Sequence, residues 1–265
     1  MALTGRAAVI TGGSSGIGLA IANMLKREGA KVIIGDVQKP PSTDDSIMYC
    51  PCDVTKFKDL ENLLHQSCKP YGHVSIWVNN AGIQSETRHR PFSNKAMMDT
   101  VRENVQKILS INLQAVIEGS KLAIRHMKDH GHGGSVINMS SLSAFIPLSN
   151  APVYSATKAG VNQFTRAAGL HLGPENPIKV HAICPGFVDT PLISDMRQMI
   201  EHEVGEKLIS ADEIASAALE LISPKDPNMQ NGSIMKVYMK DGKLIKEVFD
   251  FPGAFRGKKV LFKDL

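Results

Sequence analysis

Short apolar runs of four or five residues alternate along this chain with longer stretches whose apolar positions recur every three or four residues. Ala7-Ala8-Val9-Ile10 is the first such run, and it stops at Thr11-Gly12-Gly13, as a buried strand feeding a tight turn does. From Ile17 to Glu28 the residues Ile17, Ala20, Ile21, Met24 and Leu25 form one stripe, which predicts a helix closed by Gly29. Lys31 to Gly35 reads as a second strand ending at Asp36, and Ile47 to Cys50 as a third after a Pro/Ser/Asp-rich loop. Val74 to Val78 is a fourth strand, running into Asn79-Asn80-Ala81-Gly82. Helices are predicted near Lys56 to Cys68, from about Val101 to His130, from Tyr154 to Leu172 and from Ala211 to Ile222. Ser135 to Met139, Ile178 to Ile183 and Ser233 to Tyr238 complete the strands, the last followed by a basic tail after Met239.

Strands alternating with helices at this pitch imply right-handed βαβ crossovers, hence an α/β fold built on a parallel sheet flanked by helices. Two stretches interrupt the rhythm. Gln84 to Thr100 is polar and irregular and reads as an insertion (84–100), and residues 187–208 are Met-rich and amphipathic and suit a mobile cover. No internal repeat or linker divides the chain, so one domain over residues 1–265 is expected.

Composition removes several function classes. The 265 residues are 43% hydrophobic and 21% charged, ordinary for a globular protein, and the formal net charge of +4 is too small to argue for nucleic acid. Four cysteines are too few for a disulfide scaffold, and the Cys50/Cys52 pair lacks the second pair that a zinc site needs, so no metal is expected. No window has the 18 apolar residues of a membrane span, and no signal-peptide pattern is visible; a cytoplasmic location is the expectation.

Chemistry enters at the first turn, Thr11-Gly12-Gly13-Ser14-Ser15-Gly16-Ile17-Gly18. Its glycines let the backbone turn sharply and bring amides close to a pyrophosphate at a helix N-terminus. The spacing, Gly-x-x-x-Gly-x-Gly, has the required context: a strand before, a helix after, and an acidic residue at the end of the next strand. That residue is Asp36. Its carboxylate can accept from ribose hydroxyls and repels a 2′-phosphate, and Val37 rather than a basic residue follows it, so NAD is favoured over NADP.

Tyr154 and Lys158 lie four apart in a predicted helix, hence on one face, one turn apart. A phenol titrates near pH 10 and is a poor base at neutral pH, but a cation beside it favours the phenolate. Spacing alone also fits a surface Tyr near a surface Lys, so the meaning of the pair depends on the rest of the chain.

The glycine turn, Cys52-Asp53-Val54, Asn79-Asn80-Ala81-Gly82, Asn112, Ser141, Tyr154/Lys158 and Cys184-Pro185-Gly186 occur in one order. In this the chain resembles the short-chain dehydrogenase/reductase family over nearly its whole length. The resemblance implies a single Rossmann-like, doubly wound parallel sheet that binds NAD at the carboxyl ends of its strands. It implies that Asp53 meets the adenine amino group, that Val54 lines the adenine pocket, and that Asn80, Ala81 and Gly82 support the cofactor. Pro185, Gly186, Val188 and Thr190 would receive the nicotinamide carboxamide. Of Ser140 and Ser141, the family's spacing of thirteen before the tyrosine selects Ser141 to hold the substrate oxygen. Tyr154 would take the alcohol proton, Lys158 would assist it and hold the nicotinamide ribose, and Asn112 would hold a water in a relay from Lys158 to solvent. A homodimer or homotetramer is also implied.

The apolar cover, Phe187, Leu192, Ile193, Met196, Met199 and Ile200, suits a small-molecule alcohol that is lipid-like, such as an oxylipin, an isoprenoid or a steroid, and the family resemblance implies a hydroxyprostaglandin or related oxylipin among these. Ala151, three before the tyrosine, is placed beside that substrate and offers it neither donor nor acceptor. An NAD-binding regulatory or interaction protein without turnover is the reading from another class.

Overall fold

The computed structural model describes residues 2–41, 46–84, 102–200, 202, 207–224 and 229–249, with only the backbone at 195, 196 and 199. Nearly all of the predicted insertion, part of the cover and most of the basic tail lie outside the described residues.

Among the described residues eight strands pair in one sheet: β1 (Ala7–Thr11), β2 (Lys31–Asp36), β3 (Ile47–Pro51), β4 (Ile76–Asn79), β5 (Gly134–Met139), β6 (Ile178–Pro185), β7 (Ile234–Lys240) and β8 (Lys243–Phe249). Their order is β3-β2-β1-β4-β5-β6-β7-β8, and among the described residues only the β7–β8 pair is antiparallel. The chain winds one way from β1 to β3 and the other way from β4 onward. The order therefore reverses between β1 and β4, and a crevice opens at their carboxyl ends.

Period-two alternation sends each strand's side chains to two cores. Ala8, Ile10, Val32, Ile34, Ile76 and Val78 face α1 (Gly16–Arg27) and α6 (Ala211–Ile222), where Ile21, Leu25, Ile214 and Ala218 are buried. Val9, Ile33, Trp77 and Val136 face the other way, onto Leu60 and Leu63 of α2 (Phe57–Tyr71) and Ala123 and Met127 of α4 (Ala115–Asp129). Each fully buried Ile or Leu contributes roughly 1.5–3 kcal/mol. Helix α6 begins with a capping box: Ser210 Oγ accepts from Glu213 N at 3.2 Å, and Glu213 Oε2 accepts from Ser210 N at 2.7 Å.

Two differences from the sequence reading have identifiable causes. The long helix predicted over 101–130 is α3 (Arg102–Leu109) and α4 joined by a π-turn, Ser110–Gln114, which gives Asn112 a direction that an unbroken helix would not. The chain after Met239 does not pass directly into a tail, because β8 folds back on β7. Asp241 (φ 51) and Gly242 (φ 73) make the two-residue turn, with Lys240 opposite Lys243. Asp-Gly is a strong hairpin signal, but Lys243-Leu-Ile-Lys-Glu-Val-Phe249 lacks the strict alternation of a half-buried strand.

One buried polar network fixes the ends of β4 and β5, from which the site emerges. Asn79 accepts from Trp77 Nε1 (2.8 Å) and donates to Asn138 Oδ1 (2.8 Å) and Ser120 Oγ (3.0 Å). Full satisfaction makes such a network a rigid anchor.

His181, in β6, is 1% exposed, and burial holds its imidazole down at about 4. Its Nδ1 has no partner among the described residues. The folded chain thus binds a proton less readily than the unfolded one, whose histidine titrates near 6.5. Stability from this group is complete above pH 6.5 and is lost as pH falls toward 4, by up to about 3 kcal/mol. The unfolding midpoint should drop steeply over that window, and His181→Leu should flatten the drop. His73 and His126, also held low mainly by burial, should leave a residual slope. An unchanged slope in His181→Leu would remove this explanation.

Candidate active site

The crevice at the β1/β4 reversal is a cavity of about 670 Å³. Its first wall is the turn between β1 and α1. Gly12 (φ 64) passes so close to β4's exit that a Cβ would sit 2.7 Å from Ala81 Cα, and a Cβ on Gly18 would collide with the Gly12 carbonyl oxygen. Asn80 holds the turn in place, donating from Nδ2 to the carbonyls of Thr11 (3.1 Å) and Gly12 (2.9 Å). Thr11 Oγ1 in return accepts from the amides of Asn80 and Ala81. Helix α1 starts at Gly16 with no side-chain cap on its first amides and no acid in its first turn, so its N-terminus is open to an anion.

Gly12, Ser15, Gly16, Ile17, Asp36, Val37, Asp53, Val54, Asn80, Ala81 and Gly82 all line this half of the cavity. Ser14 and Gly18 do not; Gly18 makes room for the turn, and Ser14 donates its amide to Asp36 Oδ2 at 3.0 Å. Gln38 N holds the other carboxylate oxygen, also at 3.0 Å. The Asp53 carboxyl is held below its ordinary range, chiefly by the Thr55 hydroxyl at 2.7 Å.

The other half is built from the end of β5, the start of α5 (Pro152–Leu172) and the segment after β6. Pro at the first helical position starts α5, and one turn of it carries Tyr154 and Lys158 into the cavity, only 7% and 4% exposed. The two serines after β5 differ in what they touch. Ser140 Oγ donates to the Lys158 carbonyl at 3.0 Å, whereas Ser141 is hydrogen-bonded to the Tyr154 phenol and accepts from Ser143 N at 3.1 Å.

Burial pushes the Tyr154 phenol up to about 12, with the Ser141 hydrogen bond acting against it, and brings Lys158 down to about 8. The ammonium lies 5.6 Å from the Tyr154 ring centre and donates to the Met139 carbonyl at 2.9 Å. An ammonium has three donors, so others remain for the cavity. Asn112 does not line the cavity. From the π-turn it clamps the Ile83 backbone, accepting from its amide (2.9 Å) and donating to its carbonyl (2.8 Å). Gly82 stands between: a Cβ there would lie 3.5 Å from Asn112 Oδ1 and 3.6 Å from Lys158 Nζ.

Pro185, Gly186, Val188 and Thr190 line the cavity beyond Tyr154, as do Phe187, Leu192 and Ile193 of the expected cover. The backbone at Met196 is helical, and its side chain lies outside those described. Ala151 is the N-cap of α5, buried and absent from the lining; its amide donates to the Leu148 carbonyl at 3.0 Å, which ties it to the loop before the helix. Leu142, Ser143, Ile146 and Leu148 line the site although the motifs did not point to them. The available signal was Ile146-Pro147-Leu148, an apolar interruption in the loop between Ser141 and Tyr154.

A profile of the short chain dehydrogenase family matches residues 6–201. The human 15-hydroxyprostaglandin dehydrogenase [NAD(+)] is 32% identical, over 91% of this chain and 94% of that one. An NADP-dependent (R)-specific alcohol dehydrogenase from Lentilactobacillus kefiri is 34% identical, over 73% of this chain and 77% of that one. Among solved structures, 3-ketoacyl-(acyl-carrier-protein) reductase from Brucella melitensis, complexed with NADH, superposes with a TM-score of 0.79 at 30% identity, covering 89% and 98% of the two chains. An open helix N-terminus, a glycine turn with no space for side chains and a half-buried Ser141 beside buried Tyr154 and Lys158 at the far end fit a nicotinamide dinucleotide laid across the crevice. The chain belongs to the short chain dehydrogenase family, and is an oxidoreductase of the kind that works with a nicotinamide cofactor.

Proposed function

We propose that this enzyme oxidises a secondary alcohol on an apolar, lipid-like molecule to the ketone, reversibly, with NAD. The observation that carries the reading is the Ser141–Tyr154–Lys158 group opening onto a wall of Leu142, Ile146, Leu148, Phe187 and Leu192. Bound NAD supplies the hydride acceptor. The chain does the rest. Ser141 orients the carbinol oxygen against the phenol, and Tyr154 takes its proton. Lys158 supplies the cation that favours a charged phenolate in a site where burial opposes it. Asn112, across Gly82 from Lys158, belongs to the path by which that proton leaves.

The amides of the α1 N-terminus hold the pyrophosphate, Asp36 the adenosine ribose, and Asp53 with Val54 the adenine. Lys158 holds the second ribose, and Pro185, Gly186, Val188 and Thr190 the carboxamide. Similarity to the human NAD-dependent prostaglandin enzyme supports an oxylipin as substrate, with an isoprenoid or steroid alcohol next. Absorbance of NADH over a panel of hydroxy-lipids, secondary alkanols and polyols tests the reading. Turnover is expected on the apolar members; turnover confined to small polar polyols would sink it.

A further inference from the structure

Beside Ser141 the cavity wall holds a hydroxyl that none of these roles uses. Ser143, in the 3-10 turn Leu142–Ala144, borders the cavity and is 6% exposed. Its amide is engaged, donating to Ser141 Oγ at 3.1 Å. Its Oγ is shielded from solvent and has no hydrogen-bond partner among the described residues. A buried hydroxyl in that state weakens the fold, and alanine in its place would remove the penalty at a small loss of volume. The balance reverses when a ligand oxygen completes the bond.

The reach of that hydroxyl is limited. Covalent geometry from the Ser143 amide keeps Oγ within roughly 7 Å of Ser141 Oγ. Rotation of χ1 among its three staggered positions redirects the hydroxyl without moving the backbone, which is how it would meet a ligand oxygen. Nearby Leu142, Ile146 and Leu148 offer no side-chain donor or acceptor, and the Ser140 hydroxyl is already bound to the Lys158 carbonyl.

We infer that Ser143 is a specificity-determining residue, which recognises a second oxygen, hydroxyl or carbonyl, one to three carbons from the reacting carbinol. This rests on the reading of Ser141 and Tyr154 as the groups that hold the carbinol. It narrows the substrate to an otherwise apolar molecule with an oxygen function close to the carbon that is oxidised.

The test is steady-state kinetics with NAD on the full chain and on Ser143→Ala. The substrates are a medium-chain secondary alkanol and the same alkanol bearing a hydroxyl or ketone on a neighbouring carbon. The wild type should prefer the second member in kcat/KM by about 10- to 100-fold. Ser143→Ala should erase that preference by losing rate on the oxygenated member alone, with a thermal midpoint equal to or above that of the wild type. Equal turnover of both members by the wild type overturns the inference, and so does a parallel loss on both in the variant. Turnover of neither member by a wild type that binds NAD overturns the alcohol-oxidising reading of the site, and this inference with it.

Discussion

Tyr154→Phe is expected to lower kcat/KM for alcohol oxidation by about two to four orders of magnitude while NAD still binds. The variant keeps the ring that fills the buried position and removes only the oxygen hydrogen-bonded to Ser141. Little change in folding should follow, because that oxygen's bond is local to the cavity. The pH dependence supplies the sharper readout. Burial holds the phenol high, so wild-type oxidation should accelerate as pH rises and the tyrosine gives up its proton. Lys158→Met removes a cation that is charged below about pH 8, so the rate should fall most at and below that pH. Tyr154→Phe should show no such rise. A variant with near wild-type rate, titrated by isothermal calorimetry with NAD as a binding control, would mean that another group takes the proton.

What the sequence disclosed about this site was local in sequence. The glycine turn, Tyr154 with Lys158, and the paired serines are each read within a few residues, because a tight turn or one helical turn imposes the spacing directly. What it withheld depends on partners far along the chain. Asn112 stands in a motif, yet its side chain is oriented by Ile83, 29 positions earlier, through a π-turn that no periodicity announces. Ala151 is next to the tyrosine helix in sequence and still does not line the cavity. The last strand reads in sequence as part of a basic tail, its Asp-Gly turn being the one local signal, and its consequence is also long-range. Phe249, at the end of β8, packs edge-on against Phe145 (6.0 Å), in the loop that follows Ser141. Lys236 lies 5.6 Å and 5.7 Å from the two ring centres while pairing with Glu247 at 2.7 Å. The C-terminal hairpin thereby braces the loop that carries one wall of the substrate end.

Cofactor choice is the second place where a single residue should have a large effect. Family membership does not decide it, since the human relative uses NAD and the Lentilactobacillus relative uses NADP. On the NAD reading proposed above, the deciding group is the Asp36 carboxylate at the end of β2, with an exposed Val37 beside it and no cation in the turn. Two like charges 4 Å apart near a protein surface repel by about 4 kcal/mol, which corresponds to roughly a thousandfold preference for NAD before salt screening reduces it. Asp36→Asn should relieve the repulsion and retain a side-chain acceptor for one backbone amide. Asp36→Ala should do more. It frees both the Ser14 and the Gln38 amides, which now donate to the carboxylate at 3.0 Å, and two unpaired amides at that spot are donors for a phosphate. NADP-dependent kcat/KM is therefore expected to rise in the order wild type, Asp36→Asn, Asp36→Ala, while NAD-dependent turnover falls about tenfold as the ribose hydroxyls lose their acceptor. Equal NADP gains in the two variants would leave charge alone responsible, and a wild type that already prefers NADP would take the carboxylate out of the selection altogether.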